Sequence, residues 1–283
     1  MPSINTNVAA LKARANLDRV QRDLDSSIER LSSGKRINKA HDDASGIAIA
    51  GRMESQIRGL TQNIRHAKDG QALIDTQEGA ASEITTILQR MRELAVMAFN
   101  GTATATDRSY LSLEMQALFT EIGNISENTQ FNDTNILTGA TFNFWTDIDM
   151  AGNEIITVAA DMAPSALGVA NAMTASSISI GTNAKVTSLT GVVSAISIID
   201  AAIASVAGIR SNLGAVSNRF NHVIDNLTNV VANTEGAKSR VLDADFAVET
   251  TQLTRNQILQ QAATSMVAQA NAQKNSVLIL LQN

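Results

Sequence analysis

The chain has 283 residues, 22 basic and 27 acidic, giving a net charge of −5, and it contains no cysteine. The charges are well mixed and form no basic tract, which argues against nucleic acid and against a membrane surface as partners. The missing thiols exclude a disulfide framework, thiol catalysis and thiolate metal ligation. Hydrophobic residues make up 44% of the chain but aromatics only 3%, so the apolar mass is mostly Ala, Ile, Leu and Val. With Pro2 and Pro164 as the only prolines, long thin helices are open to almost the whole chain, in one large or two modest domains. The start, Met1-Pro2-Ser3-Ile4-Asn5-Thr6-Asn7, lacks a basic and then apolar leader, so no cleaved secretory signal is expected.

In chain order, the first predicted helix carries Ile4, Val8, Leu11 and Ala15, then Leu17, Val20, Leu24, Ile28 and Leu31 at 4-3 spacing, with a phase slip between Ala15 and Leu17. Gly34 ends it, since glycine adopts the left-handed cap conformation. Asp42-Asp43 precedes a second run reaching Phe99, with a seam of Ile57, Leu60, Ile64, Ala67, Gln71 and Ile74 that drifts at Glu78-Gly79 and resumes at Ile84, Leu88, Met91, Leu94 or Ala95, and Ala98. At a rise of 1.5 Å per residue that is a helix of roughly 80 Å. Asn100-Gly101 breaks it. A third helix follows with Leu111, Met115, Leu118, Ile122 and Ile125 on one face and Asp107 as candidate N-cap.

From about residue 129 to 190 Asn, Thr, Gly and Asp become frequent. Two β-type runs, Thr141-Phe142-Asn143-Phe144-Trp145 and Glu154-Ile155-Ile156-Thr157-Val158, flank a hairpin connection at residues 149–153. Residues 174–190 read as an exposed Ser/Thr-rich loop, open to O-linked sugars. Helix returns near Gly191 with a seam of Ile196, Ile199, Ile203, Val206, Ile209, Leu213, Val216, Phe220, Val223, Leu227 and Val230.

The last helix carries Leu259, Ala263, Met266, Ala270, Gln273, Val277 and Leu280 at the same spacing, yet residues 256–273 hold no charge and many amides. A solvent-facing helix would carry charge and a membrane span would not hold so many amides. What fits is a helix sheathed by the N-terminal helix and by further copies of the chain. The fold class read from this pattern is mainly α: an elongated coiled-coil or helical-bundle rod, termini together, with a small β-hairpin region in the central segment.

Several segments together are specific to one family. Ser3-Ile4-Asn5-Thr6-Asn7, Leu31-Ser32-Ser33-Gly34-Lys35-Arg36-Ile37-Asn38, Asp42-Asp43-Ala44-Ser45-Gly46-Ile47-Ala48-Ile49 and Gln89-Arg90-Met91-Arg92-Glu93-Leu94-Ala95 resemble the N-terminal region of bacterial flagellins. Ser239-Arg240-Val241-Leu242-Asp243-Ala244-Asp245-Phe246, Gln257-Ile258-Leu259-Gln260-Gln261-Ala262 and Ala268-Gln269-Ala270-Asn271 resemble their C-terminal region. The resemblance spans residues 1–140 and 190–283. His41 stands where Asn is usual, and the tail at residues 279–283 runs slightly past the usual ending.

The resemblance implies an inner-core coiled-coil domain of residues 1–42 and 241–283, an outer-core helical domain of 43–140 and 190–240 with a β-hairpin near Phe131-Asn132-Asp133, and a short central β/loop insert at 141–189. It implies a homopolymeric helical filament outside the cell, with subunits exported unfolded by a type III apparatus. Its further partners would be an export chaperone masking the C-terminal helix and the filament cap and junction proteins. Filament inner-core packing would fall to Ile4, Val8, Leu11, Leu24, Leu31, Leu259, Met266, Val277 and Leu280. Contact with a flagellin-sensing Toll-like receptor would fall to Gln89, Arg90, Leu94 and Glu114.

No enzyme, cofactor or metal site is expected. His41, His66 and His222 are scattered, without His-Glu-x-x-His spacing. Asp147-Ile148-Asp149-Met150-Ala151-Gly152 starts like a calcium loop but places Val158 where a bidentate Glu is needed. A hook–filament junction protein is the alternative of the same class, and a signalling or enzymatic coiled coil the rival from another.

Overall fold

The computed structural model describes residues 7–146, 155–169 and 189–282. Helix α1 is Val8–Ser33, α2 Ala44–Phe99, α3 Ala105–Asn128, α4 Leu189–Leu242 and α5 Phe246–Gln282. Among the described residues between α3 and α4 lie four strands: β1 Gln130–Phe131, β2 Thr134–Asn135, β3 Thr138–Trp145 and β4 Ile155–Asp161. The chain divides into two compact units, residues 1–57 with 232–283, and residues 58–231. The long helices α2 and α4 contribute to both.

In the first unit α1 and α5 pair antiparallel. Arg30 meets Glu249 near one end of α1, and the Asn7 amide meets the Ala270 carbonyl at the other. Asn7 caps α1 by accepting from the Ala10 N–H at 3.0 Å, and Gly34 ends it at φ +68°. The helices are tied at their shared end: the Ala244 N–H donates to Gly34 O at 3.0 Å and the Arg36 N–H to Leu242 O at 2.6 Å.

The link to α2 is held by two carboxylates. Asp42 accepts the N–H groups of Asn38 and Lys39, and Asp43 those of Ser45 and Gly46 at the start of α2. The Asp43 bonds satisfy donors that a helix start leaves unpaired, and the Asp42 bonds fix the loop before it. Both carboxyls are held below the usual aspartate range, Asp42 mainly by the Lys39 N–H and Asp43 mainly by the Gly46 N–H.

In the second unit the core is built from Ala67, Ile74, Ala81, Ile84, Leu88 and Met91 of α2, Met115 and Ile122 of α3, and Ile199, Val206, Leu213 and Phe220 of α4. The α2 seam runs through without the drift expected at Glu78-Gly79. Gln77 fills the gap, buried, with its Nε2 donating to Ile136 O at 2.8 Å, and Ala81 follows it. Glu78 turns outward to accept two bonds from Arg210. The α4 seam is the one read from the sequence. By length and composition alone residues 195–242 could cross a membrane, but Asp200, Arg210, Arg219 and Asp225 interrupt the helix, and such charges are costly in lipid.

α3 starts at a capping box, in which the Asp107 N–H donates to Thr104 Oγ1 and the Thr104 N–H to Asp107. Thr104 is therefore the N-cap, and Asp107, the expected cap, completes the box from the third helical position. β1 and β2 form a tight hairpin whose central residues, Asn132 and Asp133, have φ of +50° and +59°, the twist a two-residue turn requires. β3 and β4 pair antiparallel, as the two β-type runs predicted; their connection lies outside the described residues. Ile156, Val158 and Ala160 of β4 enter the same core as α2 and α4.

Candidate functional site

Two surfaces hold the residues singled out from the sequence, and the first is the α1–α5 pair. The inward positions of α1 are Ala10, Ala13, Leu17, Val20, Leu24, Ser27 and Leu31, an unbroken 3-4 repeat. Those of α5 are Glu249, Leu253, Asn256, Gln260, Ala263, Val267 and Ala270. The seam is crossed by polar contacts: Arg30 Nη1 to Glu249 Oε1 at 3.2 Å, Asn256 Nδ2 to Ser27 Oγ at 3.5 Å, Gln260 Nε2 to Gln21 Oε1, and Asn7 Nδ2 to Ala270 O at 3.0 Å.

Of the residues expected at the inner core, Leu24 is buried and Leu31 partly buried on this seam. Val8, Leu11, Leu259 and Met266 are not; they face outward. Ile4 and the side chains of Val277 and Leu280 lie outside the described residues. The phase slip read at Ala15 is absent, because the repeat counts from Ala10 and not from Val8. In α5 the amides Asn256 and Gln260 take the intrachain positions. A pattern that assigns the largest apolar residues to the seam therefore selects Leu259 and Met266, each one position off. Leu11 is 60% exposed, Ile258 61% and Met266 62%, and Ile28, Phe246, Val248 and Leu259 join them on the outside. The seam reading places Ile28 on the α1 seam, yet it is exposed, and it passes over Phe246, Val248 and Ile258; counting heptads from Ala10 puts Ile28 outside.

The second surface lies where α2 and α3 run side by side in the second unit. Arg90 Nη2 and Nε donate to Glu114 Oε1 at 2.8 and 2.9 Å, and Nη1 to Glu93 Oε2 at 3.1 Å. These bonds, Glu114 first, raise the guanidinium above its ordinary value, so it is cationic at any working pH. Gln89, Arg90 and Glu114 share this exposed face. Leu94 does not. Its side chain is 0% exposed, sealed in the core, because it falls on the α2 seam with Leu88 and Met91. In its place the surface offers Val96, Met97, Phe99, Tyr110 and Leu113, all exposed, which the motif reading passed over.

Comparison with known proteins is consistent with this architecture. Residues 4–141 match the model of the bacterial flagellin N-terminal helical region and residues 196–281 that of the C-terminal helical region. A flagellin of Halalkalibacterium halodurans is 41% identical over 280 residues, covering 99% of each chain. Flagellin A of Vibrio cholerae is 34% identical over 376 aligned residues, again 99% of each chain, so that relative carries extra residues. Among solved structures, a putative flagellar hook-associated protein from Vibrio parahaemolyticus superposes with a TM-score of 0.60 at 14% identity, covering 71% of this chain and 100% of that one. That last likeness shows the fold alone. The full-length matches decide the matter: the chain belongs to the bacterial flagellins, a structural subunit of the flagellar filament and not an enzyme.

Proposed function

We propose that the outward apolar face of the terminal helix pair is the contact through which copies of this flagellin close around one another in the filament. The observation that supports this reading is the inversion of the α1–α5 seam. Inside the chain α5 sets Asn256, Gln260 and Ala263 beside its Leu253 and Val267 against the Leu and Val positions of α1, whereas Leu11, Ile28, Ile258, Leu259 and Met266 are left to water. Fully covering one Leu, Ile or Met side chain contributes about 1.5–3 kcal/mol, so several at one interface outweigh the cost of ordering it. Residues 1–42 and 241–283 would then form the inner core and 43–140 and 190–240 the outer core, with 141–189 as a short insert between them.

The test is Leu259→Asp. A charge at an exposed site of the single chain leaves its folding intact, but buried between copies it is costly. Circular dichroism of the soluble variant is expected to match the parent. Negative-stain microscopy after seeding in a precipitating salt is expected to show no filaments. Polymerisation equal to the parent's would refute the assignment.

The same reading extends to the other partners. The uncharged α5 face would be masked by an export chaperone before type III export as an unfolded chain, and cap and junction proteins would meet the subunit at the filament's ends. Gln89, Arg90 and Glu114 would contact a flagellin-sensing Toll-like receptor. Leu94 would support that face from beneath.

A further inference from the structure

Helix α5 offers two candidate faces for α1, rotated by roughly 50°, about half the angular step between successive residues, so that Ala263 and Ala270 belong to both. One carries Leu259, Ala263, Met266 and Ala270, the stronger apolar seam. The other carries Asn256, Gln260, Ala263, Val267 and Ala270, and it is the one turned inward. Hydrophobic burial alone would choose the first. We propose that the polar ladder Arg30–Glu249, Ser27–Asn256 and Gln21–Gln260 is a rotational lock: it turns the amide face of α5 toward α1 and thereby holds Ile258, Leu259 and Met266 outward for a second copy.

The ladder works by making the wrong rotation expensive. Asn256 and Glu249 are 8% and 7% exposed, and each finds its partner on α1: Asn256 Nδ2 reaches Ser27 Oγ, and Glu249 accepts from Arg30. Rotating α5 to bury Leu259 and Met266 would break both contacts and leave Ser27, itself 5% exposed, with only its bond to the Asp23 carbonyl of its own helix. A buried polar group stripped of its partner costs more than a hydrogen bond gains. Polar residues at single seam positions specify pairing at the expense of stability. Translation along the helix needs no such device, because the Ala244 N–H to Gly34 O and Arg36 N–H to Leu242 O bonds already tie the shared end. Rotation is what those bonds leave open.

The chain contains no cysteine, so introduced thiols report without ambiguity. Met266 is exposed and its neighbour Val267 faces α1. In otherwise unchanged soluble protein, Met266→Cys is expected to react with a maleimide faster than Val267→Cys. Gln21→Leu with Ser27→Ala and Arg30→Leu removes all three rungs of the ladder from the α1 side, and the order of the two rates is expected to reverse. Asn256→Leu with Gln260→Leu makes the inward face itself apolar, and the parental order is expected to persist.

A ladder that merely added stability would move both thiols in the same direction in both variants. Equal acceleration of both thiols, or an unreversed order in the α1-side variant, overturns the lock. These rates report rotation in one chain. The consequence for assembly rests on the contact face proposed above and is read separately. If the rates reverse while seeded polymerisation is unaffected, the lock stands and that contact face falls.

Discussion

At Gly70 an added Cβ would lie 2.5 Å from Cζ of the Phe220 ring, and that ring packs edge-on against Phe144 at a centroid distance of 5.6 Å. Neither aromatic can retreat without opening the core, so Gly70→Ala is expected to cost about 1–3 kcal/mol. Chemical denaturation checks this; a variant as stable as the parent would mean the ring can yield. The receptor-motif residues separate in the same experiment. Leu94→Ala empties a fully buried site and is expected to cost about 2–5 kcal/mol. Arg90→Ala removes an exposed ion pair worth about 0–1 kcal/mol and is expected to leave stability nearly unchanged while abolishing receptor signalling by the soluble subunit. Signalling that survived Arg90→Ala would remove that residue from the contact.

Between α1 and α2 the chain turns on Asp42 and Asp43, both depressed in pKa by the backbone N–H groups they accept. A depressed carboxylate contributes stability that is present above its unfolded value, here the ordinary 3.8, and is lost as pH falls through the folded value. Thermal melting of the first unit is therefore expected to hold steady down to about pH 5 and to fall on further acidification. Asp43→Asn is expected to keep the cap, because an amide oxygen accepts the same bonds, yet to flatten its share of that slope. An unchanged slope in Asp43→Asn would assign the acid sensitivity elsewhere. The α1–α5 element follows a different rule, with polar contacts selecting its geometry at some cost in burial.

For the whole molecule, a subunit that leaves large apolar residues outside should polymerise by burying them. Hydrophobic association weakens on cooling and is strengthened by sulfate. The critical concentration for seeded growth is expected to rise on cooling and to fall on adding sulfate. The opposite temperature dependence would point to polar contacts as the driving force. Ion pairs such as Arg92–Asp200 and Arg210–Glu78 are exposed and would add little to that balance.

The sequence by itself determined that this protein is built of long helices with seams, and its terminal motifs carried the family. Period, cap and breaker signals are local, and each is written within a few turns of chain. The α4 seam, the Gly34 cap, and the β3 and β4 strands were legible for that reason. Gln77 hid in the α2 seam because its burial depends on the Ile136 carbonyl, 59 residues away. Leu94 looked like both a seam position and a surface ligand, because a motif names residues without saying which face they occupy, and the seam reading is the one its burial bears out. Which face of α5 meets α1 was also beyond the pattern, since composition favours the apolar seam and only partners on another helix reverse it. The tertiary structure decided these points, because burial and pairing are properties of two surfaces and the sequence of either one specifies only half of the contact.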